Sequence, residues 1–469
     1  MSEYLGRKKE LEYLESLYRS EKSEFLVLYG RRRIGKTELL RQFSKNKEAV
    51  FYTCVETTDE EQLRTFSASL FEAGSVAAKY TDSFRSWEDA FSALTELPVK
   101  GKKVLVIYEF PYMARGNKSV PSVLQKVWDL KLRDADVLLI LCGSSLSFIE
   151  KEVLSEKKPL YGRATAVYKL LPLTFREACE FFPAYDAEDK VRAYSILGGI
   201  PYYLLQFDGG KGIEDNIIRG ILSKGSVLYS ETEFLMRQEF RETSVYNAII
   251  KAVAFGNTRL NDIYNATGIE KAKLSAYLSA LVETGIVLRE FPASVGVRQT
   301  ALRERGLYKL SDCFFRFYYT FCFPYLSSLE QGGAEAVCKK IIGPRLDEYA
   351  SLSFEEICRE YVARKNAALA LGAFYAGVGR WWNKSDEIDV FASSADGKNI
   401  LLGECKFRKS PFDMHDFNSL RAKYTASGGA EVEYMLFSRS GFDDRLVKLS
   451  EDDPAISLVD AEELAGSQV

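Results

Sequence analysis

Histidine is nearly missing from this 469-residue chain, which has one, His415. The eight cysteines (54, 142, 179, 313, 322, 338, 358 and 405) stand singly, with no Cys-x-x-Cys pair and no histidine beside them. Zinc held by nitrogen and sulfur is therefore not expected, and the pattern fits reduced thiols in a cytosol. Proline is scarce, at 12 residues, and with 46% hydrophobic and 28% charged residues the composition is that of a globular chain without a long disordered tract. Long apolar runs are also lacking. The most membrane-like stretch, CFFRFYYTFCFPYL (313 to 326), is too short to span a bilayer and carries Arg316, so it reads as a buried aromatic helix. The opening MSEYLGRKKE has no apolar signal-peptide core, and a cytoplasmic protein is expected. A net charge of -3 exerts no global pull on nucleic acid or membrane, so any DNA contact must rest on local charge.

The length suggests several units, and three are expected: 1–225, 226–330 and 331–469. The clearest motif lies in FLVLYGRRRIGKTELLRQF (25 to 43). An apolar strand candidate leads into Gly30-x-x-x-x-Gly35-Lys36-Thr37, followed by a helical run with Leu39, Leu40 and Phe43 on one side. Glycines at both ends let successive N–H groups turn inward, and the helix N-terminus adds its positive dipole end, so a polyphosphate meets several donors at once. Gly30, Arg31, Arg32, Arg33, Ile34, Gly35, Lys36, Thr37 and Glu38 form the expected nucleotide-binding stretch. Lys36 would reach the β and γ phosphates, and the Thr37 hydroxyl would ligate Mg2+.

VLVIY (104 to 108) and VLLILCGSS (137 to 145) are wholly apolar strand candidates, as expected where helices cover both faces of a parallel sheet. Ser144 and Ser145 fall at a strand's carboxyl end, where Ser144 could sense the γ phosphate or the pair could cap the helix that follows. Arg163 in LYGRATAVYKL is a candidate transition-state arginine, against the plainer reading of a surface charge.

YLGRKKELEYLESLY, LYGRRRIGKTELL, VLVIYEFPYMA, LLILCGSS, LYGRATAVYKLLPLTFREACEFFP and LGGIPYYL resemble, in order and spacing, the archaeal-type ATPases of the AAA+ and STAND group of P-loop proteins, across residues 4 to 205. The resemblance implies a P-loop parallel sheet with a helical lid, Gly6 and Arg7 near the adenine, and Gly199-Ile200-Pro201 closing over the nucleotide. Tyr108 departs from it. The family has Asp there, holding Mg2+ through water, before the glutamate that polarises the attacking water, here Glu109. A tyrosine hydroxyl is a weak, neutral metal ligand. Nucleotide binding is expected to persist while hydrolysis becomes slow or absent.

From Ser244 the pattern becomes three short helices, SVYNAIIKAVAFG, TRLNDIYNATG and IEKAKLSAYLSALVETG, then strand candidates IVLREFP and GLYKL. Leu274, Tyr277, Leu278, Leu281 and Val282 mark one apolar face of the third helix. This predicts a winged helix-turn-helix with the third helix poised for a major groove. Arg289, Arg298, Arg303, Arg305 and Lys309 against Glu290 and Glu304 give the wing a local charge of +3, enough to touch phosphates. The other reading is a winged helix that packs on the ATPase and binds no nucleic acid.

Beyond a helical segment RLDEYASLSFEEICREYV, with Leu352, Ile357 and Val362 among its apolar positions, EIDVFA and NILLGECKF flank an Asp396-Gly397 turn, a strong hairpin signal. Glu404 and Lys406 share one face of the second strand, and Asp389 can meet them across the hairpin. Crowded carboxylates repel unless a divalent cation lies between them, so Asp389 and Glu404 read as ligands and Lys406 as the group that orients or deprotonates water. The arrangement resembles PD-(D/E)xK nucleases, whose restriction-endonuclease-like α/β fold it implies. Glu355 matches the acidic residue of their preceding helix, with Glu356 the neighbour in register. The stretch from about 345 to 450 also resembles the C-terminal domain that accompanies archaeal-type ATPases.

Two functions follow: an ATP- and Mg2+-using DNA-processing protein, with Glu109, Arg163, Glu404 and Lys406 as its catalytic groups, or a STAND-like switch that assembles in response to ATP or ADP and does not cleave. Neither involves a membrane.

Overall fold

A computed structural model of the protein describes residues 4–293, 306–424 and 429–466. The chain divides into two units: residues up to Pro172 with Ile200–Tyr202, and Leu173–Gly199 with the chain from Tyr203 on.

The first unit is built on five parallel strands, β1 (Glu24–Tyr29), β2 (Ala49–Thr53), β3 (Lys103–Tyr108), β4 (Val137–Gly143) and β5 (Ala166–Lys169), in the order β2-β3-β4-β1-β5. Because strand residues alternate, β1, β3 and β4 feed two cores at once. Phe25, Val27, Leu105, Ile107, Leu139 and Leu141 enter one. Leu26, Leu28, Val104, Val106, Leu138 and Ile140 enter the other, with Leu39, Leu40 and Phe43 of the helix Lys36–Ser44. Tyr108 shares the parity of Val104 and Val106, so strand alternation turns it toward that helix.

In the second unit the helices Thr243–Ala254, Leu260–Thr267 and Lys271–Glu283 gather around Ile249, Ile263, Leu274, Leu278 and Leu281 beside an antiparallel pair, β6 (Val287–Glu290) and β7 (Leu307–Leu310). Val282, expected on the buried face, is 40% exposed, because the packing stripe runs through Leu274, Leu278 and Leu281 and ends one residue short of it. The aromatic stretch is helical and buried, as expected. Phe314, Phe315, Phe317 and Phe321 are inaccessible, and the terminal nitrogens of Arg316 donate to Ser353 Oγ at 2.6 Å and Glu356 Oε1 at 3.2 Å. No helix among the described residues is long and apolar enough to cross a membrane.

The C-terminal sheet contains β8 (Gly377–Trp382), β9 (Glu387–Ser393), β10 (Asn399–Lys406), β11 (Glu431–Ser438) and β12 (Ile456–Asp460), in the order β12-β11-β10-β9-β8. It is antiparallel from β8 to β10 and parallel from β10 to β12. The long helix Leu346–Ala367 covers one face through Ala350, Phe354, Ile357, Cys358 and Val362, and Phe175, Cys179 and Val191 join the same core. Helices Met414–Lys423 and Asp444–Asp452 cover the other through Phe417, Leu420 and Leu446. Leu352, taken from the sequence as an apolar position of the long helix, is 48% exposed, since only the side facing the sheet is covered.

Candidate functional site

The phosphate loop occupies the turn from β1 into the helix Lys36–Ser44, at a carboxyl end of the sheet where β1 is flanked by β4 and β5 instead of β2. Such reversals of strand order are where open α/β sheets bind ligands. Arg33 and Gly35 take positive φ (68° and 90°), curling the loop into a concave run of backbone. Gly30 cannot carry a side chain, because a Cβ would come within 2.6 Å of the Leu170 carbonyl. The buried Lys36 ammonium donates to the Gly30 and Arg31 carbonyls at 2.7 and 2.9 Å, so the cation is held at the loop it would serve. Ile34 is buried, and Glu38 is exposed on the first helical turn. Pro201 packs near Gly35, and the Arg33 guanidinium lies 4.6 Å from the Tyr202 ring centroid, so the segment expected to close over a nucleotide does lie at the loop.

Gly6 and Arg7 both have positive φ, and Arg7 is 4% exposed. Its guanidinium donates to the carbonyls of Ile34 (3.2 Å) and Leu171 (2.6 Å) and pairs with Glu10 (2.9 Å). Arg7 thus ties the phosphate loop to the segment after β5.

Thr37 Oγ1 donates to the Tyr108 hydroxyl at 2.7 Å. Burial pushes the Tyr108 phenol up to about 12, against a smaller opposing effect of the Thr37 bond, so it stays neutral. Next to it Glu109 takes left-handed angles (φ 56°, ψ 44°) ahead of the helix Phe110–Gly116. Its carboxylate accepts from Ser144 N (3.2 Å) and Ser144 Oγ (3.0 Å), clamping it between the ends of β3 and β4. Ser145 takes the N-cap position of the following helix without a side-chain bond, and Ser144 holds Glu109.

Arg163 is not brought to this loop. It pairs with Asp129 at 3.1 Å, two residues before Thr165, whose N–H bonds Phe25 near the amino end of β1. That is the opposite end of the sheet from the phosphate loop, so within this chain Arg163 is a surface charge.

In the C-terminal sheet the hairpin forms as expected, with Val390 facing Gly403, which puts Asp389 beside Glu404 in register. Opposite β8, β9 carries an extra residue: Phe391 pairs Gly379 while Ile388 pairs Trp381. Bulges re-aim side chains. Here the re-aimed segment holds Asp389, whose carboxylate accepts from Cys405 N at 2.9 Å. Carboxylate oxygens of Glu355, Glu387 and Asp389 lie within 4.8 Å of one another. Glu387 escaped sequence reasoning, because strict alternation treats it as an exposed strand end. Its spacing of two from Asp389 was the available signal. Burial raises the carboxyl groups of Glu355 and Asp389, and repulsion from Asp389 and Glu404 respectively adds to it. Arg359 donates to the Asp389 carbonyl at 2.7 Å and lies 3.7 Å from Glu355, steadying the group. Glu356 belongs elsewhere, held ionised by Arg316 and Lys309 despite its burial.

Glu404, expected as a metal ligand, stands outside this group. Alternation turns it to the sheet's other face, where Lys406 and Lys423 each donate to it at 2.7 Å. Burial opposes the Lys406 charge, and Glu404 more than offsets that, so the ammonium is held above its usual range and suits orienting better than proton removal. Of the basic wing residues, Lys309 is committed to Glu290 (3.1 Å) and Glu356 (3.6 Å), and Arg289 lies over the Phe291 and Tyr308 rings. Arg298, Arg303 and Arg305 lie outside the described residues.

Residues 4–207 match a family described as an ATPase domain predominantly from Archaea, and residues 318–419 match one described as archaeal and bacterial proteins of unknown function. An uncharacterized protein of Methanocaldococcus jannaschii is 34% identical over 405 residues, 86% of this chain and 88% of its own. A short stretch is 47% identical over 45 residues, 10% of this chain and 76% of the relative, to an uncharacterized ATP-binding protein of the same organism. Among solved structures, the Walker-type ATPase of Pyrococcus abyssi aligns with a TM-score of 0.50 at 20% identity, covering 67% of this chain and 96% of its own. A phosphate loop on a parallel sheet, these two matched domains and a relative similar along most of its length carry one conclusion: the chain belongs to the archaeal-type P-loop ATPase family, joined to the C-terminal domain matched at 318–419.

Proposed function

We propose that this protein binds ATP at Gly30–Glu38 with little or no turnover, and that its C-terminal sheet is a PD-(D/E)xK-type domain directed at DNA. The observation that carries the first part is the Thr37 to Tyr108 hydrogen bond, which ties the hydroxyl expected on the metal to a neutral phenol. Without an aspartate, water-mediated metal binding is weakened, while Lys36, the loop and the helix terminus remain for the phosphates. The proposed boundaries are 1–225 for the ATPase domain with its lid, 226–330 for a winged helix-turn-helix and 331–469 for the nuclease-like domain. The three helices with β6 and β7 support the middle assignment.

For the C-terminal domain, the support is the Glu355, Glu387 and Asp389 group, which would hold a divalent cation through its carboxylate oxygens. Such an ion would supply Lewis acidity toward a phosphodiester. Its residues fit a hard cation, being all oxygen donors that repel one another without one.

One observation favours the second reading, a nucleotide-responsive STAND-like regulator that does not cleave. Glu404, the expected second ligand, is neutralised by two lysines. Divalent-dependent nicking of plasmid DNA that disappears in Lys406→Ala would support cleavage. Nucleotide-dependent assembly with intact DNA would support regulation.

The deciding experiment compares ATP binding and hydrolysis in the natural protein, Lys36→Ala and Tyr108→Asp. The expected outcome is binding without turnover, binding lost in Lys36→Ala, and turnover appearing in Tyr108→Asp. Turnover by the natural protein that Lys36→Ala abolishes would show that Thr37 and Glu109 suffice, and would overturn the first part.

A further inference from the structure

The nucleotide site of a P-loop protein ordinarily takes its nucleotide with Mg2+, and the residues here fit that ion poorly. Two protein groups would approach it, the hydroxyl of Thr37 and the side chain at position 108. Thr37 Oγ1 spends its proton on the Tyr108 hydroxyl 2.7 Å away, and strand alternation with the Phe51 ring beside it, centroids 6.2 Å apart, fixes the phenol there. A hard cation wants anionic or carbonyl oxygens, and a phenol with an ordinary value near 10 offers only a weak neutral lone pair. Donating its proton leaves Thr37 the lone pairs that could ligate a metal, but the second protein group, a carboxylate at 108 to hold the ion's water, is missing.

The positive charge a metal would bring is present in the protein instead. Arg31, Arg32 and Arg33 stand consecutively in the loop ahead of Lys36. All three are partly exposed, in the turn whose Gly30 and Arg31 carbonyls hold the Lys36 ammonium. A guanidinium engages phosphate oxygens bidentately and needs no dehydration of a tightly held ion.

Resting on the reading of this loop as a nucleotide site, we infer that it binds the nucleoside polyphosphate free of metal, with the loop's arginines, Arg32 among them, supplying the charge a magnesium ion would bring and Tyr108 standing in place of its aspartate. Nucleotide occupancy is then independent of magnesium.

The test titrates the full-length protein with a fluorescent N-methylanthraniloyl ATP in EDTA and in excess Mg2+. Expected is a Kd that changes less than about threefold between the two conditions. Tyr108→Asp should gain affinity about tenfold or more on adding Mg2+. Tyr108→Phe, which keeps the packing and adds no ligand, should stay as insensitive to Mg2+ as the natural protein, so that a gain in the aspartate variant reports its carboxylate. Arg32→Ala should lose affinity in EDTA more than in Mg2+. Binding by the natural protein only when Mg2+ is present would overturn the inference while leaving the nucleotide site intact. Absence of binding in both conditions, or binding that Lys36→Ala leaves unchanged, would instead remove the nucleotide reading itself.

Discussion

The two sheets carry opposite charge arrangements where their functional residues gather. At the carboxyl end of the first, four basic residues crowd the loop before and at Lys36, and the acid expected at position 108 is a neutral tyrosine. In the C-terminal sheet three carboxylates lie within 4.8 Å, with Glu355 raised by burial and repulsion from Asp389, and Asp389 by burial and repulsion from Glu404. A concentration of positive charge needs an anion, and a concentration of negative charge needs a cation or protons. The same protein therefore presents one site where a divalent ion is dispensable and another where it would relieve strain.

The largest expected effect separates the two sites outright. Lys36→Ala should weaken ATP binding about 100-fold or more by calorimetry, while leaving any metal response of the C-terminal sheet unchanged. Equal damage to both would break the comparison.

On the C-terminal side, Glu404→Gln removes the counter-charge of Lys406 and Lys423, whose ammonium groups would then face each other half-buried. Urea unfolding should show a loss of roughly 2 kcal/mol. An unchanged midpoint would mean that Glu404 is not the neutraliser described, and would reopen its role as a ligand.

Glu360 tests burial of a carboxyl without a carboxylate cluster. It accepts from Phe175 N at 3.0 Å, and burial pushes it up to about 7. Its folded value exceeds the unfolded one near 4.3, so its contribution is intact below that value and is lost as pH rises through about 7. Glu360→Gln should therefore be the more stable by roughly 2 kcal/mol at pH 8, with the gap closing near pH 4. A constant difference across pH would refute this.

The smallest effect concerns the carboxylate group itself. Millimolar Mn2+ should raise the melting temperature by about 3 °C, and Asp389→Asn should abolish that rise while lifting the metal-free value slightly. A response surviving in Asp389→Asn would move the ion elsewhere.

Much of this was legible in advance because the signals are local. Alternation and apolar runs located β1, β3, β4, β9 and β10, and Asp396-Gly397 located the hairpin turn. The phosphate loop announced itself through glycine spacing, since a tight anion cradle tolerates few other residues. Arg163 was misplaced because the end of a sheet that a residue occupies depends on strand order, which is not written beside the residue; Glu404 does act on Asp389 as the hairpin register implies, though Glu355 and Glu387 are the carboxylates that crowd it. Glu387 joined its group through a bulge, which shifts facing by one residue and leaves no clear mark in the sequence.

The sequence alone determined the chemistry available: a phosphate cradle, a tyrosine in the aspartate's position, and acids spaced along a hairpin. Only tertiary structure decided which of these groups meet. Tyr108 bonds Thr37 because parity turns β3 toward the helix after the loop. Glu355 reaches Asp389, and Glu404 does not join them, because the long helix covers one face of the sheet while the lysines hold Glu404 on the other. Hydrogen-bonding and charge preferences are properties of residues, but a pair of groups acts only when packing brings them within a few ångströms.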